Sequence, residues 1–182
     1  MVRHELASGE YNRRRAACET DVKLLAKHLP GVRALRDVGI ADLEKYKYAL
    51  PNKIYRRCRH VVTENERVFA PATALRSQDA SQFGGLMYRS HFSLRDDCEV
   101  SCKELDLLVD LETLRVPASM EPATGGGFGG CTVNLVRTDC APAFKADIAR
   151  AYQEATDIAP DICICEPAQG AEAWPVETIA QG

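Results

Sequence analysis

Apolar residues recur three and four positions apart through most of this chain, the spacing that lines one face of an α-helix. Tyr11, Cys18, Val22, Leu25 and Leu29 share such a face. Ser8 stands before them as an N-cap, with Glu10 placed to meet the positive end of the helix. Pro30–Gly31 stops the run. A shorter helix carries Ile40, Leu43 and Leu50, and a third starts near Asn52 and runs through KIYRRCRHVVTENERVF. Pro71 is expected to end or kink it. Asp79 caps a fourth helix with Phe83, Leu86 and Met87, and a fifth carries Leu105, Leu108 and Val109.

The period changes after Pro117. CTVNLV, residues 131–136, alternates as a strand with two different faces does. APAFKADIARAYQEA returns to helical spacing, with Phe144, Ile148 and Tyr152 on one stripe. DICIC, 161–165, reads as a short buried strand. Strand, helix and strand with short links predict a crossover with two parallel strands. The opening VRHELA is expected to fill the gap between them, running antiparallel. The tail from Gly170 is polar and expected to fray. The predicted fold class is α+β, several helices laid over one small sheet.

At 182 residues the chain is long enough for one domain with a real core, burying about 70% of its extended-chain surface. A net charge of −3 argues against nucleic acid or an anionic membrane as a partner. MVRHELASGEYNRRR has no apolar signal-peptide core, and no run approaches the roughly 18 apolar residues of a membrane span. A cytoplasmic protein is expected. The eight cysteines contain no C-x-x-C, so they are expected to be reduced, mostly buried thiols rather than metal ligands. Cys18, Cys58 and Cys131 fall in apolar stripes or strands.

TGGGFGG, Thr124–Gly130, holds five glycines in seven residues. Gly125, Gly127 and Gly130 match G-x-G-x-x-G, but the dinucleotide fingerprint needs a strand before the run and a helix after it. Here a strand follows. A phosphate loop needs Gly-Lys-Ser/Thr at its end, and Gly130 is followed by Cys131. A turn with positive φ and a close approach to a ligand or a second loop both remain open. The basic clusters Arg13–Arg15 and Arg56–Arg59 read as solvated faces paired with Asp and Glu. Asp96 and Asp97 are neighbours, about 100° apart on a helix, and suit local ion pairs better than one shared site. His91, among Tyr88, Phe92 and Leu94, reads as a hydrogen-bonded helix histidine. Tyr11 suits either the core or a ligand contact one turn inside its helix.

VRHELASGEYNRRRAACE, RRCRHVVTENERV, SHFSLRDDCEVSCKELDLLV and TGGGFGGCTVNLV stand in the order found in galactokinases, of the GHMP kinases. The chain resembles their C-terminal portion from Val2 to about Pro167. The resemblance implies a GHMP-kinase C-terminal-type domain over 1–182, with a small mixed ferredoxin-like sheet covered by helices. Residues 1–116 are then mainly helical after a short first strand, 117–167 hold the glycine loop and βαβ unit, and 168–182 form a tail. It implies that Tyr11 and Gly126 touch galactose. Thr124, Gly125, Gly127, Phe128, Gly129 and Gly130 complete the glycine-rich motif at the cleft.

The implied reaction is ATP-dependent phosphorylation of galactose to galactose 1-phosphate, with Mg2+. No GLSSSA-like phosphate loop and none of the family's catalytic residues occur in these residues, so no catalytic residue is assigned and none of the cofactors is expected on this chain alone. The implied partners are galactose and either the missing N-terminal half or a self-association partner. A non-catalytic interaction domain and one subunit of a split kinase are the rival readings. Pro122-Ala123 stand where the family has Arg-Met, Cys98 replaces a tyrosine, and Pro71 falls in a helix the family keeps continuous.

Overall fold

A computed structural model describes residues 10–115 and 131–166; the side chains of Glu10, Tyr11, Arg13 and Arg115 lie outside the description. The described residues form helices α1 (Glu10–Leu25), α2 (Ile40–Lys45), α3 (Asn52–Arg76), α4 (Ala80–Phe92), α5 (Lys103–Arg115) and α6 (Ala141–Thr156). Short 3₁₀ turns at Leu35–Asp37 and Lys47–Ala49 flank α2, and a π-helical turn, Ser93–Cys98, extends α4. After α1 one more bonded turn, ending in Leu29 N–H to the Leu25 carbonyl at 2.8 Å, leads to Gly31 at φ +92°. Only glycine takes that angle without strain, so Pro30–Gly31 turns the chain as expected.

The main core is the stripe of α1 closed against α3 and the turns around α2. Leu25, Leu43 and Cys58 are completely buried, and Leu35, Val38, Leu50 and Val62 nearly so, with Cys18 and Val22 packed alongside. Each buried leucine contributes about 2 kcal/mol. A second core joins α5 to α6: Leu105 and Val109 are buried on one helix, Ile148, Ala151 and Tyr152 on the other. Asp79 caps α4, its carboxylate accepting from Gln82 N–H at 2.8 Å. α3 passes through Pro71 and continues to Arg76, so the proline does not end it. Proline removes one donor, but Ala74, one turn further on, is wholly buried and Ser77 N–H still bonds the Thr73 carbonyl at 3.0 Å. One lost hydrogen bond does not end a helix whose following turn is otherwise bonded.

The expected ferredoxin-like sheet of the α+β reading is not there among the described residues, whose only β assignment is a single bridge residue, Leu135. Residues 131–137 and 158–166 flank α6 without pairing into a βαβ unit. A helix closes its own hydrogen bonds, whereas a strand takes all of its bonds from a neighbour. The neighbour expected between these two segments, VRHELA, lies outside the described residues. The alternation of CTVNLV does survive as two faces: Thr132, Asn134 and Val136 turn inward, while Val133 and Leu135 are 62% and 39% exposed. DICIC is mostly exposed rather than buried.

Candidate functional site

Tyr11 sits in the first turn of α1, with its side chain outside the description. Thr124, Gly125, Gly126, Gly127, Phe128, Gly129 and Gly130 also lie outside the described residues. What the structure does describe is the support on either side of them: the anchor of α1, and the chain that leaves the glycine run.

α1 is anchored one turn after Tyr11. Arg14 donates from Nε to the Cys98 carbonyl at 3.0 Å and from Nη2 to the Glu99 carbonyl at 2.7 Å. Arg56 on α3 donates to the Asp96 carbonyl at 2.7 Å. Both guanidiniums thus cover the open carbonyls at the C-terminal end of the π turn, where a cation meets the negative end of the helix dipole. Glu99, left-handed at φ +58°, brings its carboxylate to Arg56 at 2.5 Å, Lys53 at 3.6 Å and Arg57 at 3.9 Å. Those cations hold it below the usual carboxylate range, the Arg56 hydrogen bond most of all.

The two neighbouring aspartates diverge as helix geometry requires. Asp96 pairs outward with Arg95 at 2.9 Å, and Asp97 points inward to Arg59. Ser93 donates to Asp97 at 3.1 Å and lies 3.0 Å from His60 Nδ1. Burial holds His60 below its usual pKa, toward the neutral form. The serine proton is committed to the aspartate, so this row locks α3 to the π turn and offers no nucleophile. The second basic cluster is therefore no plain solvated face: Arg57 is only 15% exposed and Arg59 closes on a buried carboxylate. His91 is buried 3.3 Å from Asp106, without hydrogen-bond geometry; burial lowers its pKa.

The exit of the glycine run is held by a carboxyl group that the sequence reading passed over. Glu112 on α5 is completely buried. Its Oε1 accepts from Asn134 Nδ2 at 3.0 Å and from Thr132 Oγ1 at 3.3 Å, four and two residues past Gly130. Its Oε2 is buried with no partner. Burial pushes the carboxyl up to about 7, against the pull of the two hydrogen bonds. Asp21 on α1 is the counterpart in the main core. It is completely buried, accepts from the Cys58 thiol at 2.9 Å, and is pushed up to about 6 by burial. A signal for both existed: Glu112 stands seven after Leu105 and three after Val109, and Asp21 three after Cys18, each on an apolar stripe where a carboxylate is out of place.

Of the eight cysteines, all free, Cys58 is buried, while Cys131, Cys163 and Cys165 are exposed, unlike the expected buried thiols. Cys131, Cys163 and Cys165 fall in the extended segments that lack a covering sheet neighbour. Among the described residues no group of three or more His, Cys, Asp or Glu could hold a metal ion. No helix among them is long and apolar enough to cross a membrane.

Comparison with known proteins follows the motifs. No family model matches the chain. It is 50% identical to a galactokinase of Chloroflexus aurantiacus over 151 residues, 83% of this chain and 39% of that one. It is 41% identical to a galactokinase of Roseiflexus sp. over 169 residues, 93% of this chain and 43% of that one. A solved structure, Lactococcus lactis galactokinase complexed with galactose, superposes with a TM-score of 0.77 at 30% identity, covering 86% of this chain and 40% of that one. The chain is thus homologous to galactokinases over most of its length and spans about two fifths of theirs.

Proposed function

We propose that this chain, as a homologue of galactokinases, forms the glycine-run side of a galactokinase-type active site, in which ATP phosphorylates galactose to galactose 1-phosphate. The observation that carries this reading is the 50% identity to the Chloroflexus aurantiacus galactokinase. The galactose in the related Lactococcus lactis structure supports the sugar as substrate.

In this reading the chain positions the sugar and does not carry the phosphate chemistry. Tyr11 offers a hydroxyl to galactose, and the Arg14 clamp fixes the helix turn that presents it. Gly126 keeps the backbone bare beside the sugar. Among the described residues no group of three or more His, Cys, Asp or Glu is gathered for a metal ion. ATP and Mg2+ belong to a phosphate-binding portion outside these residues, which is the proposed protein partner, with self-association as the substitute. Neither nucleic acid nor a membrane enters this reading, and the cytoplasm is the proposed location.

The test is coupled ADP release with purified chain, alone and fused behind the phosphate-binding portion of a related galactokinase. The chain alone should stay at buffer background. The fusion should turn over, and Tyr11→Phe should lower kcat/KM for galactose by a factor of roughly 2–12 with KM for ATP unchanged. Turnover by the chain alone overturns the division of labour. A folded fusion with no turnover favours the non-catalytic interaction domain.

A further inference from the structure

We infer that Glu112 is a positioning residue: from within α5 it fixes the direction in which the chain leaves the glycine run, through its hydrogen bonds from Thr132 and Asn134. The inference rests on the reading above, in which the glycine run borders the sugar.

Residues 131–136 reach the body of the protein through their inward side chains. Their outward face, Val133 and Leu135, is largely exposed, and Leu135 is the single bridge residue among the described ones. Inward they present Thr132 and Asn134, and both meet the same oxygen of Glu112. An apolar residue at 112 would fill the α5 stripe but would offer these two donors no acceptor in place of the carboxyl. A carboxyl kept wholly out of water is costly unless it serves a contact, and this one serves a contact next to the glycine run. The bonds are also directional, so they set the register of the exit as an apolar contact would not.

Among the described residues the groups that hydrogen-bond Glu112 are neutral. Thr132 and Asn134 come from the exit segment, and among the described residues no cation of α4, α5 or α6 forms an ion pair with it. Its charge state is therefore set by burial, and it gains or loses its proton near pH 7. Ionised, the buried carboxylate favours any opening that lets water reach it. Protonated, it stays closed. The exit of the glycine run should accordingly loosen as pH rises.

The test uses the whole chain. In NMR spectra of the wild type, the Asn134 side-chain amide signals should titrate with a midpoint near pH 7, and this titration should vanish in Glu112→Gln. At pH 6, tryptic cleavage after Arg137 should run at least tenfold faster in Glu112→Ala and about threefold faster in Thr132→Val, while the arginines of α3 stay protected. If Glu112→Ala loses that protection too, Thr132→Val and the wild-type titration decide. An Asn134 signal flat from pH 5 to 9, or a Thr132→Val cleaved at the wild-type rate, overturns the inference. Galactose added to the same samples probes the sugar reading alone: absence of any shift there leaves the Glu112 result standing.

Discussion

The stretch from α1 to the π turn and the stretch from α5 onward solve the same problem differently. In the first, polar groups that enter the interior mostly find charged or capping partners: Arg59 meets Asp97, and Arg14 and Arg56 cover the carbonyls of 96, 98 and 99, while Asp21 on the Cys58 thiol is the exception. In the second, Glu112 enters the interior with neutral partners and one oxygen bare. The extended segments around α6 leave Val133, Ile158 and Ile164 at 62%, 43% and 56% exposure. A helical body closes on itself, while extended chain waits for a neighbour. The apolar faces left open beside α6 are where a further portion of a longer protein, or a second copy, would add most.

The sharpest probe of this contrast is the pH dependence of stability. Glu112 has a folded pKa of about 7 against an ordinary 4.5. A raised folded value means its contribution is fully present below about pH 4.5 and is lost as pH rises to about 7. Glu112→Gln escapes that loss. It should match the wild type at pH 4 and be more stable by about 3 kcal/mol at pH 8, read from urea midpoints. Asp21 in the main core follows the same sign, raised from 3.8 to about 6. Asp21→Asn should gain slightly less than Glu112→Gln, also about 3 kcal/mol, with most of the gain present above about pH 6. Equal gains at pH 4 and 8 would show that neither carboxyl is held protonated by the fold.

Breaking a partnered group in the first region should cost where the two substitutions above gain. Arg59→Ala leaves the nearly buried Asp97 with Ser93 as its remaining hydrogen-bond donor and should lose about 2 kcal/mol in the same measurement. The smallest effect belongs to a cap. Asp79→Ala removes the bond to Gln82 N–H and should lose about 1 kcal/mol, visible as a small loss of helical ellipticity stability on heating. An Arg59→Ala loss no larger than that of Asp79→Ala would mean the Arg59–Asp97 pair is only a surface contact.

The amino-acid sequence by itself determined the helices. The 18–22–25 stripe, the Pro30–Gly31 stop, the Asp79 cap and the 105–109 stripe each specify local structure, because a helix needs only near neighbours in sequence to complete its bonds. The divergence of Asp96 and Asp97 was legible for the same reason. The resemblance to galactokinases was legible too, in long ordered motifs. Only the tertiary structure decided the rest. The alternation of CTVNLV specifies two faces but not a partner, so no sheet follows from it. Pro71 does not end α3, which continues to Arg76 with Ala74 buried one turn on. Arg14 meets the carbonyls of 98 and 99 across some 85 residues of chain, and Glu112 meets Thr132 and Asn134 across about 20. No local pattern encodes such meetings: burial gives a lone carboxyl its pKa and its partners, and burial is a property of the fold.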